Sequence, residues 1–182
     1  MRDFVANFFY VQAYFLFIGV SMPDGIEKEL KDWLVGAKRV VIAGIGNPIR
    51  SDDYIGMKIV EDLKNKLSKN VLLLECETVP ESYLLDIEEF NPTHVLLIDA
   101  AFLGLKPGKF RLVNAEAIVD FSTVTSHVLP LRLFCEYVKQ VTGAKIGLLL
   151  IEPKNMEFGE GLSVEVEAAG KNLTESLLGL LG

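Results

Sequence analysis

Cysteine, histidine and positive charge are all scarce in this chain of 182 residues, and each shortage removes a class of function. The two cysteines, Cys76 and Cys135, show none of the paired spacing of a zinc or redox motif. Both read as reduced core thiols, and the cytoplasm is the expected compartment. Lysine and arginine together number 18 against 25 acidic residues, giving a formal charge of -7. An acidic surface of this kind argues against nucleic acid or anionic membrane as the main partner. There is no Walker glycine-lysine loop, no G-x-S-x-G elbow, no internal repeat and no low-complexity linker. Gly44-Ile45-Gly46 begins like a dinucleotide fingerprint, but Ile49 stands where the third glycine belongs and acids follow where pyrophosphate would be repelled. Cys76 has no evident base partner.

Long apolar runs are also missing after residue 21. Phe4 to Val20 is apolar and aromatic but broken by Asn7 and Gln12, which leaves it marginal against the roughly 20 apolar residues that a spanning helix needs. No small-residue cleavage site follows clearly. Residues 1–21 are read as an apolar extension from an over-extended start, Met22 being the true one; a membrane or signal anchor and an ordered extra helix are the alternatives. Residues 22–182 then form a single domain, long enough to bury its own core. Monomer is the default, since no oligomer seam shows.

What remains alternates strand and helix. Ile26, Leu30, Trp33 and Leu34 recur at helical spacing. The spacing predicts strands at Arg39–Ile45, Val71–Cys76, His94–Asp99, Lys109–Val113 and Ala144–Ile151. Helices are expected at Tyr54–Leu67, Pro80–Phe90, Leu129–Thr142 and Ser163–Leu181, with Gly143 ending the third of these. Strands apolar on both faces imply a mostly parallel, twisted sheet of about five strands with helices on both faces, a three-layer α/β sandwich.

Ligands of such sheets bind at the carboxyl ends of the strands. Asp53 follows the first strand through the turn Gly44-Ile45-Gly46-Asn47-Pro48-Ile49-Arg50-Ser51-Asp52-Asp53, and Asp99 ends the third. His127 closes the Ser122–His127 loop just before a helix. All three can converge on one edge, whereas His94 opens its strand, roughly 16 Å from Asp99. Two carboxylates and an imidazole suit a transition metal such as nickel or zinc with open positions. Plain alternatives stand beside this reading. Ser51 and Asp52 make good helix N-caps, and a cap is the favoured role for Asp52. Asp53 would complement the helix dipole, and His127 alone fits a loop or cap. Asp99 is harder to dismiss, because an acid ending an apolar strand must find polar partners.

Gly44-x-Gly46-Asn47 with Asp52-Asp53 and Gly56, then Leu97-Ile98-Asp99-Ala100, then Ser126-His127 before a helix, resemble in order and context the three motifs of the hydrogenase maturation endopeptidases. The similarity runs from about residue 24 to the end and looks nearest to the formate-hydrogenlyase-type branch. The resemblance implies that Asp53, Asp99 and His127 contact nickel and carry catalysis. It implies removal of a carboxyl-terminal extension from the nickel–iron hydrogenase large-subunit precursor after nickel insertion. The nickel would come with the substrate rather than be held permanently. Tyr54 departs from the glycine that many relatives place after the acid pair. Phe102 and Leu103 are candidates to receive the extension, though loop packing is their plainer role. A non-catalytic nickel-handling or chaperone-like domain that binds the same precursor is the alternative function, and an unrelated α/β ligand-binding domain, with Asp53, Asp99 and His127 dispersed, is a third.

Overall fold

A computed structural model describes residues 25–115 and 128–182. Alternation of buried side chains along the strands decides the architecture. Val41, Ala43 and Ile45 of β1 (Val40–Ile45) join one core, while Val40 and Ile42 join another on the opposite face. The same period of two runs through β3 (His94–Ala100) and β5 (Lys145–Ile151). These strands are apolar on both sides and must be covered on both.

Helices supply the cover. On one face lie α1 (Ile26–Trp33), α2 (Ile55–Leu63) and α5 (Val164–Leu181), burying Leu30, Ile59 and Leu173 against the sheet. On the other lie α3 (Leu84–Phe90) and α4 (Val128–Thr142), which bury Ile87, Phe134 and Val138. Each such aliphatic or aromatic side chain contributes about 1.5–3 kcal/mol on full burial. The expected three-layer α/β sandwich is therefore the observed one, with a sheet of five strands.

Strand order is β2-β1-β3-β5-β4, with β2 spanning Val71–Glu77 and β4 spanning Phe110–Asn114. All pairings are parallel except β4 with β5, which is antiparallel. From β1 the chain first moves outward to β2 and then returns to the other side of β1 to lay down β3. That reversal opens a crevice between the carboxyl ends of β1 and β3, the place where open α/β sheets bind ligands.

Two helices differ from expectation at their starts. The segment expected as a helix over Tyr54–Leu67 begins earlier, as a 3-10 turn at Ser51–Tyr54, and its α-helix stops at Leu63. Pro80–Tyr83 is likewise a 3-10 turn ahead of α3. Residues 1–21 lie outside the described residues.

Candidate functional site

Backbone packing at the crevice sets the position of the first acid. Gly56, in the opening turn of α2, rests directly on the strands: a Cβ there would stand 2.2 Å from the Ile98 carbonyl oxygen and 2.3 Å from that of Ile45. Gly46 has φ +140°, and a Cβ there would meet the Asp53 carbonyl oxygen at 1.7 Å. Only glycine allows both approaches. The 3-10 turn is thereby pressed against the end of β1, and the Asn47 backbone N–H donates to Asp53 Oδ2 at 3.0 Å.

Asp99 comes from the neighbouring strand and is only 3 % exposed. Its Oδ2 has no hydrogen-bond partner among the described residues. Burial, and after it the negative charge of nearby Asp53, push the Asp99 carboxyl up to about 7, against some stabilisation of the anion by the Ala100 backbone N–H. Two buried acids close enough to repel each other, one with an oxygen that finds no hydrogen bond among the described residues, cost stability and suit a cation. Dispersal of the acids, expected of an unrelated ligand-binding domain, is not observed for Asp53 and Asp99.

His127, the third expected ligand, lies outside the described residues. The helix that follows it in the chain, α4, packs on the sheet face to which Asp99 belongs by strand alternation. His94 sits at the amino end of β3, paired in register with Val40. It is buried edge-on against Trp33 with ring centroids 5.1 Å apart, and burial, followed by the Lys145 charge, lowers its pKa. It belongs to the opposite edge, as its place in the strand predicts.

The acid pair divides its roles in a way that corrects the cap reading. Neither Ser51 nor Asp52 caps the helix that follows: the turn and α2 carry no side-chain cap bond. Asp52 instead points across to the loop between β5 and α5. It accepts hydrogen bonds from the backbone N–H groups of Lys154 (2.8 Å), Asn155 (2.9 Å) and Ser163 (2.7 Å), and from the Ser163 hydroxyl (3.0 Å). Ser51 Oγ donates to the Glu157 carbonyl in the same loop. Ser163 is the residue at the N-cap of α5, so Asp52 stabilises a helix start more than a hundred residues away.

One further acid was missed by sequence reasoning. Glu152, directly after β5, is buried, and its Oε2 accepts the backbone N–H groups of Leu103 (2.6 Å) and Leu105 (3.0 Å). Burial raises its pKa, with those N–H groups opposing the rise. The signal was the one that singled out Asp99, an acid closing a wholly apolar strand. Glu152 fixes the loop after β3, in which Leu103 is buried and Phe102 is exposed. Leu103 is thus a packing residue and not a receptor for an extension.

Known proteins give this geometry a context. The family described as hydrogenase maturation protease, HycI type, matches residues 57–180. A candidate hydrogenase maturation protease of Methanocaldococcus jannaschii is 32% identical, over 86% of this chain and 96% of that protein. The hydrogenase 3 maturation protease of Escherichia coli K12 is 27% identical over 78% of this chain and 90% of its own. Among solved structures, the [NiFe] hydrogenase maturation protease HycI of Thermococcus kodakarensis superposes with a TM-score of 0.76 at 34% identity, covering 84% of this chain and 97% of that one.

Proposed function

The chain belongs to the hydrogenase maturation protease family, and from that premise we propose that it removes the carboxyl-terminal extension of a nickel–iron hydrogenase large-subunit precursor after nickel insertion. The observation that carries the proposal is the buried pair Asp53 and Asp99 at the crevice between β1 and β3, with Asp99 Oδ2 unpartnered among the described residues. Nickel enters as part of the substrate, and the donor set fits it: two carboxylates from the strand ends and, from the sequence, the His127 imidazole. Docked there, the metal would polarise the scissile carbonyl or activate water.

The residues of the chain do the rest. The Asn47 N–H fixes one oxygen of Asp53, so this carboxylate meets the substrate already oriented. In the alternative in which nickel serves only as a recognition mark, Asp53 or Asp99 would be the general base, and burial together with the Asp53 charge pushes the Asp99 carboxyl of the metal-free protein up to about 7. Requiring the metal for docking would leave immature precursor uncut. The reading places the reaction in the cytoplasm and on a monomer. The buried free thiols of Cys76 and Cys135 fit a reducing compartment, and no helix of the described residues is long and apolar enough to cross a membrane.

Mass spectrometry of the precursor tests this directly, with nickel-loaded and nickel-free samples run beside Asp53→Asn, Asp99→Asn and His127→Ala variants. Release of one discrete carboxyl-terminal peptide, needing nickel and all three side chains, is expected. Equal cleavage of the nickel-free precursor would remove the metal from the proposal. Binding without cleavage by the wild type would favour the non-catalytic nickel-handling alternative.

A further inference from the structure

Four neighbouring loops along the carboxyl edge of the sheet each leave one apolar side chain in water: Val79 after β2, Ile49 after β1, Phe102 after β3 and Phe158 after β5. A single exposed apolar residue means little. Here the four follow four adjacent strands, about 4.8 Å apart, around the crevice that holds Asp53 and Asp99. Phe158 is 75 % exposed and Phe102 58 %.

The loops that present them are pinned. Glu152 holds the loop of Phe102 through Leu103 and Leu105. The loop of Phe158 is folded back onto that of Ile49 by a two-bond bridge, Ser51 N–H to the Gly159 carbonyl (2.9 Å) and Gly159 N–H to the Ile49 carbonyl (3.0 Å). Arg50 donates from Nε and Nη2 to the Met156 carbonyl and stacks its guanidinium 5.3 Å from the Phe158 ring centre. Ile49 and Phe158 thus form one fixed apolar surface without being covered. Fixed aromatic side chains bordering a site are characteristic anchors of binding energy.

Charge narrows the occupant. The exposed acids Glu77, at the end of β2, and Glu81, in the turn after it, stand on one side of Ile49, and Glu157 and Glu160 flank Phe158 in the loop after β5. Two bases stand against these four acids: Lys154, which pairs with Glu165, and Arg50, which keeps its charge over Phe158 while bonded to the neutral Met156 carbonyl. Lys106 and Lys109 stand apart, at the β4 end of the edge. The rim borders the crevice in which Asp99 Oδ2 has no hydrogen-bond partner among the described residues.

We propose that Ile49, Phe102 and Phe158, flanked by Glu157 and Glu160, dock an apolar segment of the precursor that carries lysine or arginine side chains. This rests on the processing reading above, and it assigns the chemistry of the polypeptide beside the metal.

Steady-state cleavage of nickel-loaded precursor tests it, with Phe158→Ser and Ile49→Ser compared with Leu133→Ser, an exposed position on α4 outside the rim loops. Phe158→Ser is expected to raise KM about tenfold while kcat stays within about twofold, the loss of an anchor side chain. Phe158→Tyr should restore KM, and Leu133→Ser should behave as wild type. The Glu157→Lys, Glu160→Lys double variant should lower kcat/KM about tenfold at low salt, the gap narrowing at about 0.5 M salt. Wild-type KM in Phe158→Ser and Ile49→Ser would overturn the docking rim alone. No cleavage by the wild type would overturn the processing reading, and the rim with it.

Discussion

Replacing Asp52 with alanine removes the acceptor of four hydrogen bonds at once, at a residue with no exposed surface. Three of the donors are backbone N–H groups of Lys154, Asn155 and Ser163. The donors sit on exposed or half-buried residues, so each lost bond costs about 0.5–1.5 kcal/mol and the four together roughly 2–6 kcal/mol. A domain of this size has about 5–15 kcal/mol to lose. The variant should therefore unfold at a much lower urea concentration, with the slope of the transition preserved. Asp52→Asn keeps one acceptor oxygen but turns an amide NH2 toward donors, and should lose about 2–4 kcal/mol. The matched substitution one residue along, Asp53→Asn, should leave stability within about 1 kcal/mol while abolishing cleavage. Urea titration followed by far-ultraviolet circular dichroism reads all three. An Asp52→Ala variant within about 1 kcal/mol of wild type would show that the β5–α5 loop is not held by this carboxylate, and would refute the division of roles between the two acids.

The metal-free protein should also depend on pH through Asp99. Its carboxyl is pushed up from the ordinary aspartate range to about 7, so its contribution to stability is fully present below about pH 4 and is lost as pH climbs through 7. The rise corresponds to roughly 4 kcal/mol at full ionisation. Asp99→Asn should consequently be more stable than wild type at pH 8 by about 1–3 kcal/mol, with the advantage shrinking toward pH 4 in parallel denaturant curves. Glu152→Ala should lower stability by about 2–3 kcal/mol and raise KM by freeing the loop of Phe102, whereas Glu152→Gln, which can offer one oxygen to the Leu103 and Leu105 N–H groups, should retain most of both. In Gly56→Ala a Cβ is driven into two strand carbonyls. It should lose about 3 kcal/mol and nearly all activity, since α2 and the turn bearing Asp53 must move off the sheet.

The layers of the fold were legible because local pattern and tertiary role coincide in them. Val95-Leu96-Leu97-Ile98 is apolar on both faces and became a central strand, all of it buried. The same pattern led to Asp99, which had to be unusual wherever it ended. Asp52 was misread for the opposite reason. Its local context is that of a helix cap, while its actual partners lie at Lys154, Asn155 and Ser163, and nothing in a short window signals a bond across a hundred residues. Helix starts failed similarly: the 3-10 turn at Ser51–Tyr54 is dictated by the approach of Gly46 and Gly56 to neighbouring backbone. Leu103 and Phe102 are adjacent apolar residues with opposite fates, decided by where Glu152 pins the loop.

Two buried acids of the same type, Asp52 and Asp99, thus meet opposite surroundings. Asp52 is fully buried and accepts four hydrogen bonds, so both its oxygens are satisfied and hold two loops together. Asp99 is almost as buried, yet one of its oxygens has no partner among the described residues and a second carboxylate stands beside it. Folding alone gives no reason to keep such a group, because an asparagine or an apolar residue would cost less. Under the proposed function a metal arriving with its substrate would give one: the cation would relieve the repulsion between Asp53 and Asp99 only when nickel-loaded precursor is docked. The repulsion between the two carboxylates in the metal-free protein would then be part of the selectivity, since precursor without nickel would offer them nothing that water and a proton do not. On this argument Asp99→Asn, although more stable, should discriminate less between nickel-loaded and nickel-free precursor in binding, the difference in Kd falling by about tenfold or more, as expected when one charge-assisted contact is removed. Isothermal titration of both precursor forms against both proteins measures that ratio, and an unchanged ratio would locate the nickel dependence elsewhere.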